Sequence, residues 1–88
     1  MKVSNMVSSR GNIIPNQFTI DDGDRILFQS YKSIIAIKYP YTRQVILDNG
    51  TWNYSNTTSK YRNIFLGETT KETTAKIKDG TYELSNLN

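Results

Sequence analysis

Arg25-Ile26-Leu27-Phe28-Gln29-Ser30 and, two residues later, Ser33-Ile34-Ile35-Ala36-Ile37-Lys38-Tyr39 decide the fold. The second stretch is β-branched and apolar along most of its length, as a strand in the middle of a sheet is. Pro40 ends it, because proline has no N–H to give to a sheet ladder. Ahead of the first stretch, Phe18 and Ile20 alternate with polar neighbours, and Asp21-Asp22-Gly23-Asp24 supplies turn residues. Together these segments predict a β-hairpin followed by a central strand.

Working outward, Tyr39-Pro40-Tyr41-Thr42 reads as a turn and Arg43 to Leu47 as the next strand. Asp48-Asn49-Gly50 contains the Asn-Gly pair favoured in two-residue hairpin turns, so Thr51 to Tyr54 is expected to pair back onto that strand. On the other side, Ser4 to Asn16 is polar and interrupted by Gly11 and Pro15. Residues 1–16 therefore predict an N-terminal arm or loop, with a short strand near Met6-Val7.

At Ser55 the periodicity changes. Tyr61, Ile64 and Phe65 fall at helical spacing, with Thr57 or Thr58 as N-cap and Gly67 as a stop, which predicts a helix over Ser59 to Leu66. Thr69-Thr70-Lys71-Glu72 has capping-box spacing and Asp79-Gly80 can end the helix it starts. Ile77 is the one strong apolar residue inside, so this second helix should be largely exposed. Thr81 to Leu84 returns to alternation as a last strand. The expected fold is α+β: a small antiparallel sheet of four to six strands, one or two short helices near the C-terminus, one domain over residues 1–88.

The 88 residues contain no cysteine and no histidine. That removes disulfides, thiolate zinc sites, thiol nucleophiles, the commonest transition-metal ligand and the usual general base near neutral pH. Serine is plentiful, but no lysine or carboxylate stands at a spacing that marks it as a base for one. The acidic turn at 21–24 lacks the later glutamate of a calcium loop and reads as an ordinary turn. The expectation is a non-enzymatic protein without cofactor or metal. No apolar run approaches a membrane span, and no signal peptide opens the chain, so a cytoplasmic location is expected. The net charge of +3 favours polyanions only slightly.

Two segments combine bases, aromatics and hydroxyls. In Lys38-Tyr39-Pro40-Tyr41-Thr42-Arg43, Lys38, Tyr39, Tyr41 and Arg43 resemble a stacking platform for unpaired nucleotides. At the helix start, Thr57, Thr58, Ser59, Lys60 and Arg62 could hold a phosphate, because helix N-termini present free N–H groups. Lys60 and Arg62 stand about 160° apart around the helix and flank a face formed by Tyr61, Ile64 and Phe65. The bland alternative is a capped amphipathic helix with solvated bases.

Ser4-Asn5-Met6-Val7-Ser8-Ser9-Arg10-Gly11-Asn12, Pro15-Asn16-Gln17-Phe18, and the stretch from Trp52 through Lys60-Tyr61-Arg62-Asn63 to Phe65-Leu66-Gly67-Glu68 resemble a family of small bacteriophage proteins of unknown function. Phe28 to Ala36 and Tyr82 to Asn88 extend the likeness over most of the chain. The resemblance implies a phage origin, hence a host-cell cytoplasm, and carries no catalytic or ligand residues over. Three readings follow: binding of single-stranded nucleic acid, inhibition of a host enzyme or defence factor by protein binding, and a self-associating structural or assembly subunit.

Overall fold

Five strands, β1 (Lys2–Val7), β2 (Ile13–Asp21), β3 (Ile26–Ser30), β4 (Ser33–Tyr39) and β5 (Gln44–Asp48), run as an antiparallel meander in the computed structural model, which describes residues 1–88. Helices α1 (Asn56–Leu66) and α2 (Thr70–Lys78) then carry the chain back, and β6 (Glu83–Ser85) pairs parallel to β5. The sheet order is β1-β2-β3-β4-β5-β6. This is the expected α+β arrangement, antiparallel in all but its last pairing.

The N-terminal segment departs from the arm or loop expected of it. Lys2–Val7 is a full strand against β2, with Lys2 opposite Asp21 and Asn5 opposite Phe18. The short strand expected near Met6-Val7 lies within it, but the polar residues before it carry no local strand signal because their order comes from a non-local partner. The pairing slips between Asn5 and Val7, where Asn16 adopts φ 65°. Pro15 is tolerated inside β2 beside this irregularity, since a disrupted ladder does not need its N–H.

The predicted hairpin at Asn49-Gly50 does not form, and Thr51 to Tyr54 is a succession of turns rather than a strand. Two interactions replace it. The Asp48 carboxylate accepts from Thr51 Oγ1 at 2.6 Å, curling the chain, and the free edge of β5 is taken by β6, with Ile46 opposite Glu83 and Leu47 opposite Leu84.

Helix α1 starts earlier than expected. Its N-cap is Ser55, whose hydroxyl accepts from Thr58 N, so Thr57 and Thr58 lie inside the first turn. Gly67 ends it in the left-handed conformation at φ 71°, as its position suggested. In α2 the capping box of Thr69 and Glu72 is complete, and Thr73 is its one fully buried residue.

The cross-strand register sorts the sheet into two faces. The line Ser4, Thr19, Phe28, Ala36, Leu47, Leu84 lies on the helical side. There Phe28 stacks on Phe65 of α1 with ring centroids 5.7 Å apart. A bulge on β4 leaves Ile35 as an extra residue, and both Ile35 and Ala36 are completely buried. Met6, Val45, Leu47 and Tyr82 complete the core, with Trp52 and Ile77 packed against it. Both helices stand on this side, so the sheet is covered on one face only.

Candidate functional site

The nine residues singled out by sequence do not converge. Lys38 lies on the helical face of β4, where its Nζ donates to Phe65 O at 2.9 Å and stands 4.3 Å over the Phe65 ring. Tyr39, next on the strand, points to the opposite face. Tyr41 is 84% exposed in the turn that follows. Arg43, also exposed, adopts φ 63° and donates its N–H to Tyr39 O.

Of the five candidates at the helix start, Thr57, Thr58, Ser59, Lys60 and Arg62, only Thr57 and Lys60 are exposed, and Lys60 Nζ lies 5.4 Å from the Tyr61 ring centroid. Ser59 Oγ donates to Asn53 Oδ1 at 2.8 Å. Thr58 is buried, its hydroxyl 3.1 Å from Ser30 Oγ. Arg62 is fully buried and donates to Trp52 O, Asn63 Oδ1 and Thr70 Oγ1. The inward face of α1 is thus Thr58, Arg62 and Phe65, not Tyr61, Ile64 and Phe65; Ile64 is 56% exposed. An arginine with three acceptors from different segments can be sequestered, and those acceptors cannot be read from helical spacing alone.

The acidic turn is equally self-contained. Asp21 Oδ1 accepts from Gly23 N, and Asp22 accepts from the N–H groups of Asp24 and Arg25 while pairing with Arg25 Nε at 2.7 Å.

Two surfaces that the sequence did not disclose stand out. The first is the uncovered face of the sheet, crossed by the register line Val3, Ile20, Leu27, Ile37, Ile46. Five aliphatic side chains from five successive strands lie side by side, and Phe18 and Ile34 belong to the adjacent line through Gln29. Ile37 is shielded by its neighbours, whereas Ile20, Leu27 and Ile46 are half-buried and Val3 is exposed. Of the strand charges only Glu83 falls on this line, at its margin opposite Ile46; Lys2, Asp21 and Lys38 share one line of the helical side, and Asp48 is buried at a strand end.

The second is a groove of about 440 Å³ on the helical side, between the C-terminal half of α1 and the first four strands. Its lining includes Lys2, Asp21, Ile26, Lys38, Ile64 and Phe65. Half-burial holds the Lys38 ammonium below the usual lysine pKa. A further hollow, lined by Asp48, Asn49, Thr51, Asn86 and Asn88 among others, is entirely polar. Its carboxylate is already engaged: burial would raise the Asp48 pKa, but the Thr51 hydroxyl and the Leu87 N–H, among other donors, outweigh it and hold the group below its ordinary value.

The model of a family of unknown function (DUF8033) matches residues 1–81. The chain belongs to that family. The DUF8033 match takes in β1 to β5 and both helices, and so includes the open face and the groove. It ends just before Tyr82, whose ring closes the core. No curated protein and no solved structure matches the chain. Neither α1 nor α2 is long and apolar enough to cross a membrane.

Proposed function

We propose that this DUF8033 member is a non-enzymatic binding module that docks a protein partner on the open face of its sheet. The observation that carries the reading is the line Val3, Ile20, Leu27, Ile37, Ile46, five aliphatic residues with no charge among them. A contiguous apolar patch left by a fold that covers its other face is characteristic of an interaction site. Its anatomy, an uncharged centre with Glu83 and the Asp22–Arg25 pair outside it, follows that of protein interfaces.

The partner is a protein surface with an uncharged aliphatic or aromatic patch. One side chain from each of five strands, about 4.8 Å apart and about 7 Å along each strand, gives a strip on the order of 160 Å². That is about a fifth of the roughly 800 Å² that each side of a standard interface buries, which favours a reversible contact over a permanent oligomer. Phage origin, implied by the resemblance of the sequence, makes a host factor the natural class of partner. Nucleic acid is the second reading, supported by Tyr41 and Arg43, exposed together in the β4–β5 turn.

A photocrosslinking residue at Leu27 tests the proposal in expressing cells against one at Lys71, exposed on α2. The expected result is a discrete crosslinked protein from position 27 alone, whose binding to the purified chain is lost in Ile20→Lys with Ile46→Lys. Equal crosslinking from both positions, or binding that survives the double substitution, would refute it.

A further inference from the structure

We propose that the groove on the helical side binds a free amphipathic carboxylic acid, with its carboxylate on Lys38 and its aliphatic body against Ile26, Ile64 and Phe65. This site lies on the opposite side of the sheet from the docking face, so the two proposals stand or fall separately. Its volume of about 440 Å³ falls within the range of small-molecule sites, and four of its nine lining residues are apolar, Met6, Ile26, Ile64 and Phe65, beside five polar or charged ones.

Charge complementarity selects the ligand. Lys38 gives one hydrogen bond, to the Phe65 carbonyl, and faces the Phe65 ring. The molecule's two ion pairs, Arg25–Asp22 and Lys76–Glu68, lie elsewhere, so neither Lys38 nor Lys2 has a carboxylate partner. Asp21, the one acid of the lining, is held by Gly23 N in its own turn. A half-buried ammonium with N–H groups to spare is poorly compensated, and an arriving carboxylate would supply the missing counter-charge.

The geometry favours a free acid over an extended peptide. The register line Lys2, Asp21, Ile26, Lys38 crosses the strands, and Lys38 stands three strands in from the β1 edge, about 14 Å at ordinary strand spacing. A peptide added along that edge would run parallel to β1 and leave Lys38 out of reach. A chain lying across the strands brings its end group to the ammonium. Ile64, exposed at the lip, and Met6, beside the β1 end, then cover the aliphatic body.

Decanoate, kept below its micellar concentration, is the probe, and decanol of equal chain length is the neutral control. Methyl NMR should show saturable shifts for Met6, Ile26 and Ile64 with decanoate, and about tenfold or weaker binding of decanol, as befits a charge-assisted hydrogen bond. Lys38→Met, which keeps the aliphatic stem, should erase the preference for the acid. Should that variant not fold, Ile64→Glu places a like charge at the exposed lip and should weaken decanoate about tenfold or more. Absence of saturable shifts, decanol binding as tightly as decanoate, or an acid preference that survives either substitution would overturn the assignment.

Discussion

Arg62 of α1 donates from Nη2 to Thr70 Oγ1 of α2 at 2.9 Å. The same guanidinium reaches Asn63 Oδ1 and the carbonyl of Trp52, and lies 5.3 Å from the Trp52 ring. It therefore joins the turn after β5 to both helices. Arg62→Met should destabilise the fold by about 2–4 kcal/mol, because acceptors in three segments lose their donor at once. Arg62→Lys should recover less than half of that, since a point-charge ammonium cannot span the fork of acceptors. Urea unfolding midpoints decide it, and a loss below about 1 kcal/mol would show the network to be peripheral.

Arg62 leaves only its buried Nε without a partner, whereas the Gln17 side chain has none at all. It is 1% exposed, and neither its Nε2 nor its Oε1 has a hydrogen-bond partner. Replacing an unsatisfied buried amide by an apolar side chain of similar volume removes a desolvation cost without opening a cavity. Gln17→Met is expected to raise stability by about 1–2 kcal/mol, read as a higher urea midpoint at unchanged m-value. A drop in the midpoint would mean that the amide is satisfied in solution.

Acid should weaken the fold through Glu68. Its side chain, 5% exposed, accepts from Lys76 Nζ, Thr73 Oγ1 and Tyr82 Oη. Burial works to raise its pKa, but these three donors outweigh burial and hold the carboxyl below its ordinary value. A carboxylate depressed in the folded state adds stability above its unfolded pKa of about 4.3, and loses it as pH falls through the folded value. Urea midpoints of the wild type should therefore fall between about pH 5 and pH 2, while those of Glu68→Gln start lower and change less. Parallel curves for the two proteins would assign the acid sensitivity to other groups, with Asp48, depressed in the same way, as the next to replace.

Local signals and long-range pairing divide what the sequence could disclose. Strands β3 and β4, the capping box of Thr69 and Glu72, and the stop at Gly67 are legible because each depends on neighbouring residues. The strand character of Lys2 to Asn5 is not, since it requires partners 13 to 19 residues away, from Phe18 to Asp21. Nor is the fate of Thr51 to Tyr54, which β6 decides by occupying the β5 edge from the far end of the chain. The N-cap is Ser55 rather than Thr57 or Thr58, and composition does not choose among three neighbouring hydroxyls. Neither a phosphate site nor a solvated flank at Arg62 anticipates its burial, which depends on acceptors contributed by the turn at Trp52 and by Thr70. The open face was hidden for a related reason. Ile20, Leu27, Ile37 and Ile46 are ordinary strand residues until register aligns them, and register is a property of pairs.

Salt response separates the two readings of partner. With Arg62 buried, at most three of the proposed bases, Lys38, Arg43 and Lys60, remain to meet phosphates. Three contacts to a single strand give a slope of about −2 in log affinity against log salt, or a loss of roughly 20-fold between about 50 and 200 mM. A contact centred on Ile20, Leu27 and Ile46 releases no such counterions and should change by less than about twofold over the same range. Anisotropy titrations of the chain against a labelled oligonucleotide, and against the protein captured from position 27, would measure both slopes. Micromolar oligonucleotide binding with the steep slope, abolished by Arg43→Glu with Lys60→Glu, would move the functional surface to the β4–β5 turn and the helix start. A flat response to salt, with binding lost in Ile20→Lys and Ile46→Lys, would leave it on the sheet, because an uncharged line of aliphatic residues holds a partner without displacing ions.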